Sequence, residues 1–189
     1  MTAPALLRAD VVCRSELRSS GRKLGGYAAV FEQTTDLGRA GLERIARGAF
    51  DPALSSPETD VRALWNHDPQ YLLGRQSAGT LRLSADSTGL EYEVDLPDTG
   101  YARDLRALAE RGDLDGASFG FVPGQVENRG GVMVHVAVAR LVDVSPVTFP
   151  AYAGASTEAR HLVPGTRRDS NLIRVRHRAA RNTLGGVNR

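Results

Sequence analysis

The sequence predicts a single α+β domain in which strands dominate, and three observations carry that expectation. Segments with strand-like alternation follow one another too closely for a helix to separate each pair, which argues against a regular βαβ wind. The stretch "TLRLSADSTGLEYEVDLP" alternates on both sides of a polar turn, whereas "DTGYARDLRALAERGDLDG" switches to helical spacing. At 189 residues, 41% hydrophobic and 24% charged, the chain has the size of one domain with a substantial core.

In "RKLGGYAAVFEQTTD", Tyr27, Ala29 and Phe31 fall on one alternation and predict a first strand. In "ERIARGAFDPALSS", Gly48 is a break and Asp51-Pro52 suits the first turn of a short helix, where proline's missing N–H removes no helical bond. From Asp60, a second strand would put Val61, Ala63, Trp65 and His67 on one face and Arg62, Leu64 and Asn66 on the other. The Asp68-Pro69 pair is expected to stop it. A hairpin follows: Leu81 and Leu83 alternate, Thr88-Gly89 ends the turn, and Leu90, Tyr92, Val94 and Leu96 oppose Glu91, Glu93 and Asp95. After Pro97, Tyr101, Leu105, Leu108 and Ala109 share a helix face, with Asp98 or Thr99 as N-cap and Gly112 as the stop. "GASFGFVP" and "GGVMVHVAVARLVDVSPVTFP" read as further strands separated by the turn-like "GQVENRGG".

Composition removes several functional classes. The longest apolar stretch, Val132 to Val142, is too short to span a bilayer and contains His135 and Arg140, so no membrane helix is expected. Arg8 and Asp10 interrupt the first residues, so no secretion signal is expected either. Cys13 is the only cysteine, which excludes an intrachain disulfide and a cysteine metal cluster and suits a reducing cytoplasm. No HExxH motif, no histidine pair at i, i+4, no GxGxxG and no Walker loop occurs, so neither a metal nor a cofactor is expected. The net charge of +2 hides an asymmetry: residues 1–159 carry 16 basic and 21 acidic side chains, whereas 160–189 carry eight arginines against Asp169 alone. Such a tail can contact nucleic acid or an acidic protein surface, or simply be solvated.

Two stretches offer chemistry. In "GASFGF", Ala117, Phe119 and Phe121 would face the core and Ser118 and Gly120 the other side, displaying a hydroxyl beside a residue that leaves room for a substrate backbone. The same pattern fits a surface serine beside a bulge. A serine nucleophile needs a base, usually histidine, whose other nitrogen is held by a third group. His161 and His177 lie in or near the basic tail and His135 is embedded in "VMVHVAV", which leaves His67 at the end of an apolar strand face. His67 alone is equally a packed core histidine. Asp68 is a poor third group, because adjacent strand residues point to opposite faces. Asp143, in "RLVDVSPVTFPAY", falls where a strand is expected to leave the core, and a buried carboxylate must find a partner. A turn-capping role fits Asp143 as well, and His135 has the same parity.

Taken together, "GYAAVFEQ", "ERIARGAF", "VRALWNHDPQYLLGR", "GLEYEVDLPDTGYARDLRALAERGDLDGASFGF" and "RLVDVSPVTFPAYAGA" resemble the prohead (capsid maturation) proteases of tailed phages, the HK97-like group. The resemblance covers roughly residues 22–160, leaving 1–21 as an N-terminal extension and 161–189 as an arginine-rich tail. It implies a serine endopeptidase related to the herpesvirus assemblins, with a mostly antiparallel β-barrel and flanking helices. The family's histidine falls on His67, its serine on Ser118 and its acid, commonly glutamate, on Asp143. A second histidine takes the third role in the herpesvirus relatives, which keeps His135 as the alternative. The substrates implied are scaffold, or the scaffold-like extension of the major capsid protein, and the protease itself, inside a procapsid in the bacterial cytoplasm. A homodimer follows only by analogy with the assemblins, and nucleic acid contact only through the tail. A non-enzymatic capsid assembly or scaffold protein keeping the same fold is the competing expectation.

Overall fold

A computed structural model describes residues 7–9, 18–20, 22–37 and 41–148, all within one compact unit, Met1–Ala153. Cys13, His161, His177 and the arginine-rich tail lie outside the described residues. In chain order the elements begin with β1 (Leu7–Ala9), β2 (Arg18–Ser20), β3 (Lys23–Val30), β4 (Thr35–Asp36), β5 (Leu42–Ile45) and α1 (Asp51–Ser55). They continue with β6 (Arg62–Trp65), β7 (Asp68–Arg75), β8 (Leu81–Ala85), β9 (Gly89–Asp95) and α2 (Gly100–Arg111). The last four strands are β10 (Gly116–Pro123), β11 (Val126–Arg129), β12 (Val132–His135) and β13 (Val138–Val147).

The described strands form three sheets, ordered β1-β10-β13-β6-β7, β11-β12-β5-β4 and β2-β3-β9-β8. Pairing is antiparallel except between β12 and β5 and between β13 and β6, so the fold is mostly antiparallel β with few helices. None of the three sheets closes on itself.

The hairpin and long helix form where alternation and helical spacing predict them. β8 and β9 pair Leu81 with Val94, Leu83 with Tyr92 and Ala85 with Leu90. The Asp86 carboxylate organises the turn by accepting the backbone N–H of Thr88 at 2.6 Å and of Gly89 at 3.0 Å. Thr99 is the N-cap of α2, and Gly112 ends it in a left-handed conformation at φ 77, donating its N–H to the Leu108 and Ala109 carbonyls. Tyr101 on α2 donates its hydroxyl to the Leu72 carbonyl at 2.7 Å, covering part of the outer edge of β7.

Four expectations are corrected. The alternation of Tyr27, Ala29 and Phe31 breaks inside β3, where a register shift between Tyr27 and Ala29 buries both Ala28 and Ala29. "GQVENRGG" is not only a turn: Val126–Arg129 is β11, whose polar residues suit an edge strand with exposed positions. The long strand expected from Val132 divides into β12 and β13, in different sheets, so His135 and Asp143 do not share the face that parity suggested. Finally, Asp68-Pro69 starts β7 instead of stopping a strand. Proline is tolerated there because β7 lies at a sheet edge and its pairing with β6 is irregular between Leu64↔Leu72 and Trp65↔Asp68.

The core fixes the polarity of β10. Phe119 and Phe121 are fully buried, in an aromatic row running from Phe31 through Phe50 to Phe119, Phe121 and His135, with centroids 5.0–6.0 Å apart. A one-residue slip of β10 would turn both phenylalanines out of the core, costing about 3–6 kcal/mol at about 1.5–3 kcal/mol each. Ser118 and Gly120 are thereby held on the opposite face.

Candidate active site

The site is assembled on two paired strands and one hairpin turn. β10 and β13 run antiparallel with Ser118 opposite Ser145 and Gly120 opposite Asp143. On a pleated sheet these four residues share one face, and Ser118 and Asp143 stand on its diagonal, about 7–8 Å apart by the usual geometry of such pairs. An imidazole placed over the square can reach both. A bulge adjoins the square: Gly120 pairs with Asp143 but Phe121 with Leu141, so Val142 is the extra residue immediately before Asp143.

His67 arrives from the β6–β7 turn. Trp65 pairs with Asp68, leaving Asn66 and His67 as a two-residue loop with φ of 55 and 57, the pattern of a type I′ turn that matches the twist of its flanking strands. His67 is therefore a turn residue in the left-handed region and not the strand-face residue that alternation predicts. Asn66 ties the turn to the end of β13. Its N–H donates to the Pro146 carbonyl at 3.0 Å, its side-chain Nδ2 donates to Thr148 Oγ1 at 3.2 Å, and its Oδ1 accepts the Thr148 N–H at 2.8 Å.

Asp143 is mid-strand, because β13 continues through Pro146 to Val147 instead of leaving the core at the proline. Within a strand, a residue's N–H and C=O point to the same side. The Pro146 carbonyl faces Asn66, so the missing N–H faces that side too, beyond the last β6 pairing at Val144↔Ala63, and no ladder bond is lost.

The distances are short and the groups dry. His67 Nε2 lies 2.7 Å from Ser118 Oγ, and His67 Nδ1 lies 2.5 Å from Asp143 Oδ1. The Ser145 hydroxyl donates to the same Asp143 Oδ1 at 2.8 Å. Ser118 and Ser145 are 0% exposed, Asp143 4% and His67 7%. The displayed hydroxyl expected from the sequence is thus a buried one. The space beside it is also used differently than expected: a Cβ on Gly120 would run into Asp143 Oδ2, so the glycine makes room for the carboxylate.

Of the residues singled out from the sequence, His67, Ser118 and Asp143 come together. His135 lies elsewhere, with Nε2 3.1 Å from Glu43 Oε2 on β5 and its ring edge-on to Phe121. Asp68 accepts the backbone N–H of Gln70 at 2.9 Å and does not enter the square. Among the described residues no group of three or more His, Cys, Asp or Glu side chains could hold a metal ion. Sequence reasoning missed Ser145, although it shares the parity of Asp143 two residues earlier. It also missed the anchoring role of Asn66, for which asparagine's preference for left-handed turn positions was the available signal.

A buried histidine bridging a serine hydroxyl and a carboxylate can take the hydroxyl proton as the serine oxygen attacks, which makes that oxygen a nucleophile. The sequence model of the caudovirus prohead serine protease family matches residues 9–166. The chain belongs to that family. The match takes in β2 to β13 and every residue of the square, together with the His67 turn. No curated protein and no solved structure matches the chain. No helix among the described residues is long and apolar enough to cross a membrane.

Proposed function

We propose that this prohead protease is a serine endopeptidase with Ser118 as nucleophile, His67 as general base and Asp143 as the group that orients the base. The observation that carries it is the hydrogen-bonded chain Ser118–His67–Asp143, buried from end to end. With the Nδ1 proton donated to Asp143, Nε2 is left to accept the Ser118 hydroxyl, which is the tautomer a general base requires. His67 takes the Ser118 proton as Oγ attacks the scissile carbonyl, and returns it to the leaving amine. Water hydrolyses the acyl-enzyme by the same route in reverse. Asp143, held near the imidazolium in a pocket of low dielectric, stabilises the charge that develops on His67. Asn66 and Thr148, exposed at the turn, form the rim from which a peptide approaches.

The substrates proposed, with family membership as their support, are scaffold or the scaffold-like extension of the major capsid protein, and the protease's own chain, cleaved inside a procapsid in the host cytoplasm. The same reading carries closure of the three sheets into the barrel of the assemblins, and a dimer as in those relatives.

Co-expression of the wild type and Ser118→Ala with the cognate capsid protein, read by intact mass, tests the proposal. Shortened capsid protein and scaffold are expected with the wild type only. Cleavage persisting in Ser118→Ala rejects the nucleophile, and absence of cleavage with both favours a non-enzymatic assembly protein.

A further inference from the structure

We infer that Ser145 and Gly120 are positioning residues that lock the Asp143 carboxylate in the one orientation that serves His67; the inference rests on the catalytic reading above. A carboxylate turns easily about its terminal torsion, which has a broad twofold profile and no staggered wells to hold it. His67 cannot fix that angle alone, because it is the second residue of a two-residue loop and is itself held through Asn66. The sheet supplies the constraint instead. The Ser145 hydroxyl, two residues along the same strand and 0% exposed, donates to Oδ1 at 2.8 Å, the same oxygen that faces His67 Nδ1 at 2.5 Å.

From the opposite strand, Gly120 leaves open the volume that Oδ2 occupies; a Cβ there would overlap Oδ2 and approach the carboxyl carbon at 3.2 Å. One oxygen is therefore tied by a donor and the other is seated in a notch that only glycine provides. The two devices are independent: one is a side chain on β13 and the other an absence of side chain on β10. Both sit on the face of the sheet that the two phenylalanines of β10 keep turned away from the aromatic core.

Both residues are buried against the carboxylate, so their loss should act on turnover and not on peptide binding. Ser145→Ala is expected to lower kcat about tenfold with KM unchanged, near the lower end of what a hydrogen bond to a charged group supplies. Gly120→Ala is expected to lower kcat at least as much, since its new methyl group displaces the carboxylate without meeting backbone. The decisive comparison repeats Ser145→Ala in an Asp143→Ala background. If Ser145 acts through Asp143, the second substitution adds no further loss, whereas a merely structural serine lowers activity by the same factor in both backgrounds. The His67 Nδ1–H proton resonance should also move in Ser145→Ala, as its acceptor oxygen loses a second donor.

Circular dichroism establishes that each variant is folded before kinetics are compared. Wild-type turnover in folded Ser145→Ala, with activity reduced but measurable in Asp143→Ala, would overturn the inference alone. Full activity in Asp143→Ala would overturn it together with the catalytic reading.

Discussion

At the scale of single residues, neighbours in sequence have unrelated roles. Asp68 directly follows His67, yet its carboxylate accepts the Gln70 N–H and belongs to the start of β7, whereas Asp143, 76 positions away, reaches His67 Nδ1. Asp68→Asn keeps a carbonyl oxygen for that backbone bond and is expected to leave cleavage of a peptide substrate within about threefold of wild type. His67→Ala should reduce kcat on the order of 10⁴-fold or more, as loss of a base does in serine hydrolases. Equal losses in the two variants would remove His67 from its role. Ser118, His67 and Asp143 could be singled out in the sequence because the acyl transfer proposed for them needs a hydroxyl, an imidazole and an acid. Ser145 was not, because a buried serine two residues from an acid carries no signal until the opposite strand is known.

At the scale of elements, the β6–β7 turn sets the position of His67, the proposed base. Asn66 and His67 both have positive φ, a conformation that asparagine tolerates better than most residues, and the Asn66 side chain fastens the turn to Thr148. Asn66→Ala should destabilise the fold by about 1–2 kcal/mol, combining left-handed strain with lost hydrogen bonds. It should also lower kcat by letting His67 drift. Asn66→Gly relieves the strain but not the lost bonds, so chemical denaturation should place it between wild type and alanine. An alanine variant as stable and as active as wild type would show that the turn holds without its anchor. The β8–β9 hairpin and α2 were readable from local pattern, because each is made of residues adjacent in sequence. The β6–β7 hairpin was misread as a strand followed by a stop, because its turn has no glycine and Pro69 stands just inside the next strand.

At the scale of the whole molecule, exposed ion pairs tie the strands together and give stability a definite pH dependence. Arg75 beside Asp60 holds that carboxyl well below the usual range, and the Tyr27 hydroxyl, with turn amides, lowers Asp86. Lys23 and then Arg82 lower Glu93, and Arg82 lowers Asp95, joining β3, β8 and β9. Each of these groups has a folded pKa below its unfolded value, so the unfolded chain binds protons first as pH falls. Their stabilisation is complete above about pH 5 and is lost as acid carries the solution through about pH 4 and below. Thermal unfolding should therefore show a near-constant midpoint around neutrality and a fall below pH 4. Arg82→Ala should make that fall shallower by removing the main partner of Asp95 and leaving Glu93 with Lys23 alone, and an unchanged acid slope would sink the assignment.

Only the family resemblance named Ser118, His67 and Asp143 together; by itself the sequence determined which segments alternate, where one helix begins and ends, and that two phenylalanines turn Ser118 away from the core. These properties depend on period and residue type, which are local. Only the tertiary structure decided that Gly120 makes room for Asp143 and not for substrate, that Ser118 is buried, that His135 belongs to a different sheet, and that Ser145 completes the square. Those facts follow from the register between β10 and β13 and from the turn between β6 and β7, and register is a relation between distant segments that no single stretch of chain contains.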